Sequence, residues 1–170
     1  MDTSNAEVQR ALLRHVVATL AYRAAKTLRD APEGFGDFVS GAATRTPCRI
    51  VAHMGDLMGW GVRMVEGDPS WRAEGGGDWT TEVRRFFDGL AALDAALASA
   101  QPSAFRPESL IQGPLADALT HVGQLAMLRG AFGAPVRPES YARAEIAPGR
   151  VGPDQAAARF EFEGDASAPK

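Results

Sequence analysis

The segment from Gly113 to Val136 holds a helix that is apolar nearly all round, yet carries Asp117 and His121 four residues apart on one face. His121 shares its stripe with Leu125, Leu128 and Phe132, and Gln124 lies about one turn further on. Leu115, Leu119, Val122 and Ala126 occupy the opposite face. A helix of this kind is buried on both sides, within a bundle or at a dimer interface. A second segment, Arg49 to Trp60, repeats the theme. At 100° per residue His53 falls on one stripe with Ile50, Leu57, Trp60 and Met64. Two helices that each bring ligand-type side chains into an apolar stripe constrain the fold to one that packs those stripes together.

Four segments carry helical periodicity. The first runs from about Asn5 to Leu28, with Ser4 and Glu7 spaced as a capping box. Its stripe is Leu13, Val17, Leu20, Ala24 and Leu28. The second runs from Pro47 to Val65, with Thr46 as N-cap and Pro47 at the first helical position. The third runs from Trp79 to Ser99, with Val83, Phe86, Leu90, Leu93 and Leu97 facing inward. The fourth runs from Pro114 to Phe132 and is closed by Gly133 and Pro135. No strand-period run exceeds a few residues, although residues 158–162 alternate. The reading is an all-α four-helix bundle over residues 1–136, followed by an extended tail over 137–170.

The connections are long for a simple up-down bundle, whose links run to about 2–8 residues. Residues 30–45 hold three glycines with Phe35 and Phe38 as anchors, and residues 66–78 hold Gly75-Gly76-Gly77 and read as flexible. Long links fit a bundle with a crossover. The glycine run follows no strand and precedes no Lys-Ser/Thr pair, so it is not a phosphate loop.

Composition excludes several classes. The 170 residues carry a formal net charge of −3, with no helix that concentrates positive charge, so nothing points to nucleic acid. No apolar run approaches the roughly 20 residues of a membrane span. The polar N-terminus is unlike a secretory signal, and the one cysteine, Cys48, excludes an intrachain disulfide, so a cytoplasmic protein is expected.

His53, Asp117 and His121 form the candidate site. Two imidazoles and a carboxylate suit a three-ligand divalent metal centre with room for water or substrate. The alternative is a metal-free polar network: a buried histidine with both nitrogens satisfied, and an Asp117 that favours a helix start or fixes a tautomer. Burying a carboxylate is costly unless a cation or strong hydrogen bonds compensate. Gln124 and Trp60 are the expected outer neighbours of the site. His15 lies off its core stripe and reads as a surface residue. Cys48 reads as a small filler at a helix start, and Asp56 and Arg129 as solvated or interface charges.

Two signatures resemble a known family. In IVAHMGDLMGW, His53, the pair Asp56-Leu57 and Trp60 resemble the second-helix signature of the DinB/YfiT-like four-helix-bundle proteins. In DALTHVGQLAMLRGAFG, His121, Gly123, Gln124, Leu128 and Gly133 resemble that family's last-helix signature, His-x-x-x-His-x-Gly-Gln. The first histidine of that pair is Asp117 here, which exchanges a neutral donor for an anionic one. The resemblance spans residues 5–136. It implies an up-down-down-up bundle with a crossover between helices 2 and 3, a divalent ion such as zinc or nickel, and a homodimer. It also implies a thiol-dependent S-transferase or isomerase that uses a low-molecular-weight thiol on a small-molecule substrate. A non-catalytic helical homodimer, with a structural metal or a buried polar network, is the competing expectation.

Overall fold

The structure, a computed structural model, describes residues 3–42, 45–99 and 105–163. Four long helices build it: α1 (Thr3–Leu28), α2 (Pro47–Glu66), α3 (Trp79–Ser99) and α5 (Ala116–Ala131). A short helix, α4 (Pro107–Leu110), leads into α5. Among the described residues there is no strand; the alternating segment near Phe160 makes only an isolated bridge between Glu139 and Glu161. The all-α bundle expected from the periodicity is therefore the architecture.

The helix starts follow local chemistry. Thr46 caps α2, its hydroxyl accepting from the Arg49 N–H at 3.3 Å, with Pro47 inside the first turn. At the far end of α5, Gly133 takes φ 90° and Ala134 N–H reaches back to the Arg129 carbonyl at 2.9 Å. The Ser4 side chain, half of the expected capping box, lies outside the described residues.

The fourth helix departs from expectation. It does not start cleanly at Pro114. Helical backbone begins at Pro107 and passes through a wider π turn over Ile111–Leu115, where Gly113 leaves the helical region at ψ −106°. Pro114 is the reason: it lacks an N–H for the preceding turn and pushes the residue before it out of the α region. Turns of this kind concentrate at functional sites, and this one ends two residues before Asp117.

Contacts set the order of the helices. α1 packs on α3 and α5, and α2 packs on the same two. Between α2 and α3 the register advances together: Asp56 meets Arg85, Met58 backs Gly89, and Gly61 backs Leu93. The two helices thus run in the same sense, and residues 67–78 cross back between them. Between α2 and α5 the register reverses, with His53 facing Asp117 and Trp60 lying over Gly113.

The core holds the expected stripes of α1 and α3, with Leu13, Val17, Leu20, Phe86, Leu90, Leu93 and Leu97 fully buried. Each large aliphatic or aromatic side chain so buried contributes about 1.5–3 kcal/mol. In α2 the buried face is wider than the expected stripe and shifted to one side of it. Ile50 and Leu57 are buried as expected, together with Val51, Met54, Met58, Gly61 and Val65, while His53, Trp60 and Met64 form a half-buried edge. The shift leaves His53 reachable from solvent. Phe35 anchors the link after α1, its ring edge-on to Trp79 at 5.5 Å and Phe132 at 5.6 Å.

Charges expected at the surface turn inward. Arg129 is buried, donating to the carbonyls of Thr27, Arg29 and Ala134 and so tying the ends of α1 and α5 together. Asp56 is buried under Arg85. Neither position reveals its burial in sequence: Arg85 lies far from Asp56, and the partners of Arg129 are backbone carbonyls, which carry no sequence signal. The tail folds back on α1. Glu139 is buried, accepting from the Tyr22 hydroxyl at 2.7 Å and the Lys26 ammonium at 2.9 Å.

Candidate metal centre

α2 and α5 cross at the site. His53 from α2 reaches Asp117 and His121, one turn apart on α5. His53 Nε2 lies 3.3 Å from Asp117 Oδ2, and His121 Nε2 lies 3.4 Å from Asp117 Oδ1. The imidazoles stand edge to face with centroids 5.1 Å apart. One ligand atom from each residue falls within 4.8 Å of the other two. Donors at about 2.0–2.1 Å from one tetrahedral ion sit roughly 3.3 Å apart, so a small inward adjustment brings this trio onto a single cation.

Burial is graded. The His121 side chain is 10% exposed, His53 24% and Asp117 46%. The expectation of a buried His53 is thus corrected to a half-buried one. Asp117 is open to solvent on one side but directed at both histidines, and the helix-start attraction does not by itself account for that orientation.

One hydrogen bond orients the His121 ring. Its Nδ1 lies 2.7 Å from Gln124 Oε1. An amide oxygen only accepts, so Nδ1 carries the proton and donates. In the neutral ring, Nε2 is then unprotonated and points its lone pair at the Asp117 carboxylate. Two lone pairs facing each other at 3.4 Å repel unless a cation lies between them. A proton or a metal ion relieves that repulsion. Gln124 thus performs the usual task of a group behind a metal-binding histidine, fixing its tautomer and orientation.

Trp60, expected beside the site, reaches it only through another residue. Its indole N–H donates to the Pro69 carbonyl at 2.9 Å and its ring packs edge-on to Trp71 at 5.8 Å. Trp71 in turn lies 5.6 Å from the His53 ring. Trp71 stands in a segment without periodicity, so nothing in its sequence context places it beside His53. The close approach of the Trp60 ring to the π turn favours Gly113: a Cβ there would come within 3.2 Å of it.

The crossover segment is held, not loose. Asp56 Oδ1 accepts from the N–H groups of Glu74 and Gly75, and Glu82 Oε1 from those of Gly76 and Gly77. Arg85 joins the two carboxylates, donating to Asp56 at 2.8 Å and Glu82 at 2.7 Å, and also to the Ala52 carbonyl beside His53. The glycine run expected to be flexible is therefore the wall of a cleft of about 600 Å³, lined also by Arg45, Cys48, Arg49 and His53. A second cleft of about 330 Å³ lies along His121 and Gln124, with Ile50, Met127, Leu128 and again Arg45.

Nothing around Cys48 activates its thiol. Burial, followed by the charges of Glu82, Asp37 and Asp78, pushes its thiol pKa up. Its Sγ contacts the Gly77 carbonyl at 3.6 Å, in keeping with the filler role. His15 lies exposed on α1, as expected.

No protein-family model, curated protein or solved structure matches the chain. No helix among the described residues is long and apolar enough to cross a membrane.

Proposed function

We propose that this protein is a metal-dependent enzyme of the DinB-like type, a thiol-dependent S-transferase or isomerase acting on a small molecule. His53, Asp117 and His121 hold a divalent ion, zinc or nickel. The observation that carries the reading is the geometry of the trio: His53, Asp117 and His121 each offer one ligand atom within 4.8 Å of the others, with Gln124 Oε1 2.7 Å from the far nitrogen of His121. A divalent ion bound there supplies a Lewis acid that lowers the pKa of a thiol or a water molecule at neutral pH.

The chain's own residues do the rest. Asp117 supplies the charge that offsets the cation, and the two imidazoles supply neutral donors. Gln124 keeps His121 in the ligating tautomer. Trp71 covers one side of His53 and limits water there. Among the described residues the cluster has three members. A structural site is typically closed by four protein donors, so three donors beside a cleft favour an open, reactive site over a structural one.

The test combines metal content with spectroscopy. Protein purified without an affinity tag or added metal should bind one zinc or nickel equivalent. Asp117→Ala should weaken binding severely, and His15→Ala should leave it unchanged. Nickel or cobalt should quench tryptophan fluorescence through Trp71, and quench the Trp71→Phe variant much less. Addition of a low-molecular-weight thiol to the cobalt-loaded protein should produce a near-ultraviolet charge-transfer band. Equal affinity in Asp117→Ala overturns the ligand assignment. A cobalt-loaded protein that is spectrally indifferent to thiols overturns the thiol chemistry.

A further inference from the structure

Arg45 and Arg49 stand at the start of α2, and both line the larger cleft together with His53. Arg45 also lines the smaller cleft, along His121. It therefore borders both approaches to the candidate centre. Both side chains are exposed, and no ion pair to either guanidinium is found among the described residues. Among the described residues the one carboxylate on the wall of the larger cleft, Asp56, is already engaged by Arg85 and by two backbone N–H groups. The Gly75, Gly76 and Gly77 N–H groups are likewise taken by Asp56 and Glu82. The wall is thus electrostatically satisfied and the rim is not: two cationic forks face a cleft in which no described residue offers them a free anion.

The smaller cleft differs in chemistry. Ile50, Met127 and Leu128 give it an apolar floor, with Met127 69% exposed. One cleft offers charge, the other apolar surface, and the two imidazoles stand between them.

We infer that the substrate of this site bears an oxyanion group, a carboxylate or a phosphate, which Arg45 and Arg49 bind at the mouth of the larger cleft while its reacting atom lies at His53. This rests on the metal-centre reading above for the position of the reacting atom, but the anion site itself rests on the two arginines alone. A guanidinium presents paired N–H donors that match two oxygens of a carboxylate or phosphate, which a lysine does not. A divalent ion with one carboxylate and two neutral imidazoles leaves the centre with a net positive charge, which adds to the attraction. Within this scheme Arg45 and Arg49 are specificity-determining residues, not metal ligands.

The experiment titrates succinate and inorganic phosphate separately into zinc-loaded and metal-free protein by calorimetry. Wild type is compared with Arg45→Ala, Arg49→Ala, the double variant and Arg49→Lys. Zinc content and melting temperature are recorded for each. At least one of the two anions should bind, about tenfold more weakly in each single alanine variant, and not measurably in the double variant. Arg49→Lys should recover part of the loss. Zinc content should not change in any of them. Binding that persists in the double variant, or failure of both anions to bind wild type at millimolar concentration, overturns the proposal. Arginine-dependent binding to metal-free protein that takes up no zinc would retain the anion site and reject the metal centre. Preference for one anion over the other assigns the group.

Discussion

The amide oxygen of Gln124 lies 2.7 Å from His121 Nδ1, on the opposite side of the imidazole from Asp117. The contact spans a single turn of α5, so it is built locally and does not depend on the rest of the fold. It converts an otherwise ambiguous histidine into one whose Nε2 is free to ligate.

Gln124→Ala should therefore weaken divalent-metal binding about 10–100-fold, the usual cost of removing such a partner. Gln124→Glu should retain or raise the affinity, because a carboxylate accepts the same proton. Gln124 is exposed, so neither change should alter the melting temperature of the metal-free protein much. Competition against a chromophoric chelator gives the affinities. Equal affinity for wild type and the alanine variant would show that Nδ1 has no part in preparing the ligand.

Much of this site was legible in the sequence, and the reason is physical. Asp117 and His121 sit in an otherwise apolar helix, and polar ligand-type residues in such stripes demand an explanation. Helix ends were legible where a local signal marks them, as with Thr46-Pro47 and Gly133. What stayed hidden depends on partners distant in the chain. The crossover glycines looked loose because Asp56 and Glu82, which hold them, lie outside the run. Asp56 and Arg129 looked solvated because Asp56 is paired by the distant Arg85, and Arg129 is held by backbone carbonyls that no residue type announces. The π turn was hidden because Pro114 also reads as a helix start. The shift of the α2 face was hidden because His53, Trp60 and Met64 continue the spacing of Ile50 and Leu57, the two members of that stripe that are buried.

The crossover gives a comparison between neighbouring glycines. A Cβ on Gly75 would come within 2.8 Å of both Ala52 Cβ and the Arg85 guanidinium, whereas one on Gly76 meets nothing within 4 Å. Neither has a positive φ, so the contrast is steric. Gly75→Ala should cost about 1–3 kcal/mol by urea unfolding, and Gly76→Ala should stay within about 0.5 kcal/mol. Because Ala52 adjoins His53, Gly75→Ala should also weaken metal binding. Equal stabilities for the two variants would mean that the segment is not seated against α2.

The same segment makes stability depend on pH through Glu82, which is 1% exposed. Burial pushes the Glu82 pKa up, but the Gly76 and Gly77 N–H groups and the Arg85 guanidinium together outweigh it and hold the group below its ordinary value of 4.5. As pH falls, the unfolded chain takes up this proton before the folded one does. The stabilisation is therefore complete above 4.5 and is lost as pH drops through the folded value. Glu82→Gln should cost about 3 kcal/mol near neutrality, since it leaves Arg85 with one of its two carboxylates. Urea unfolding of wild type and variant between neutral and acidic pH should show a constant gap down to about 4.5, then a narrowing one. A gap that stayed unchanged into strong acid would show that the carboxylate charge is not what holds the crossover, and would leave only the shape of the side chain to account for it.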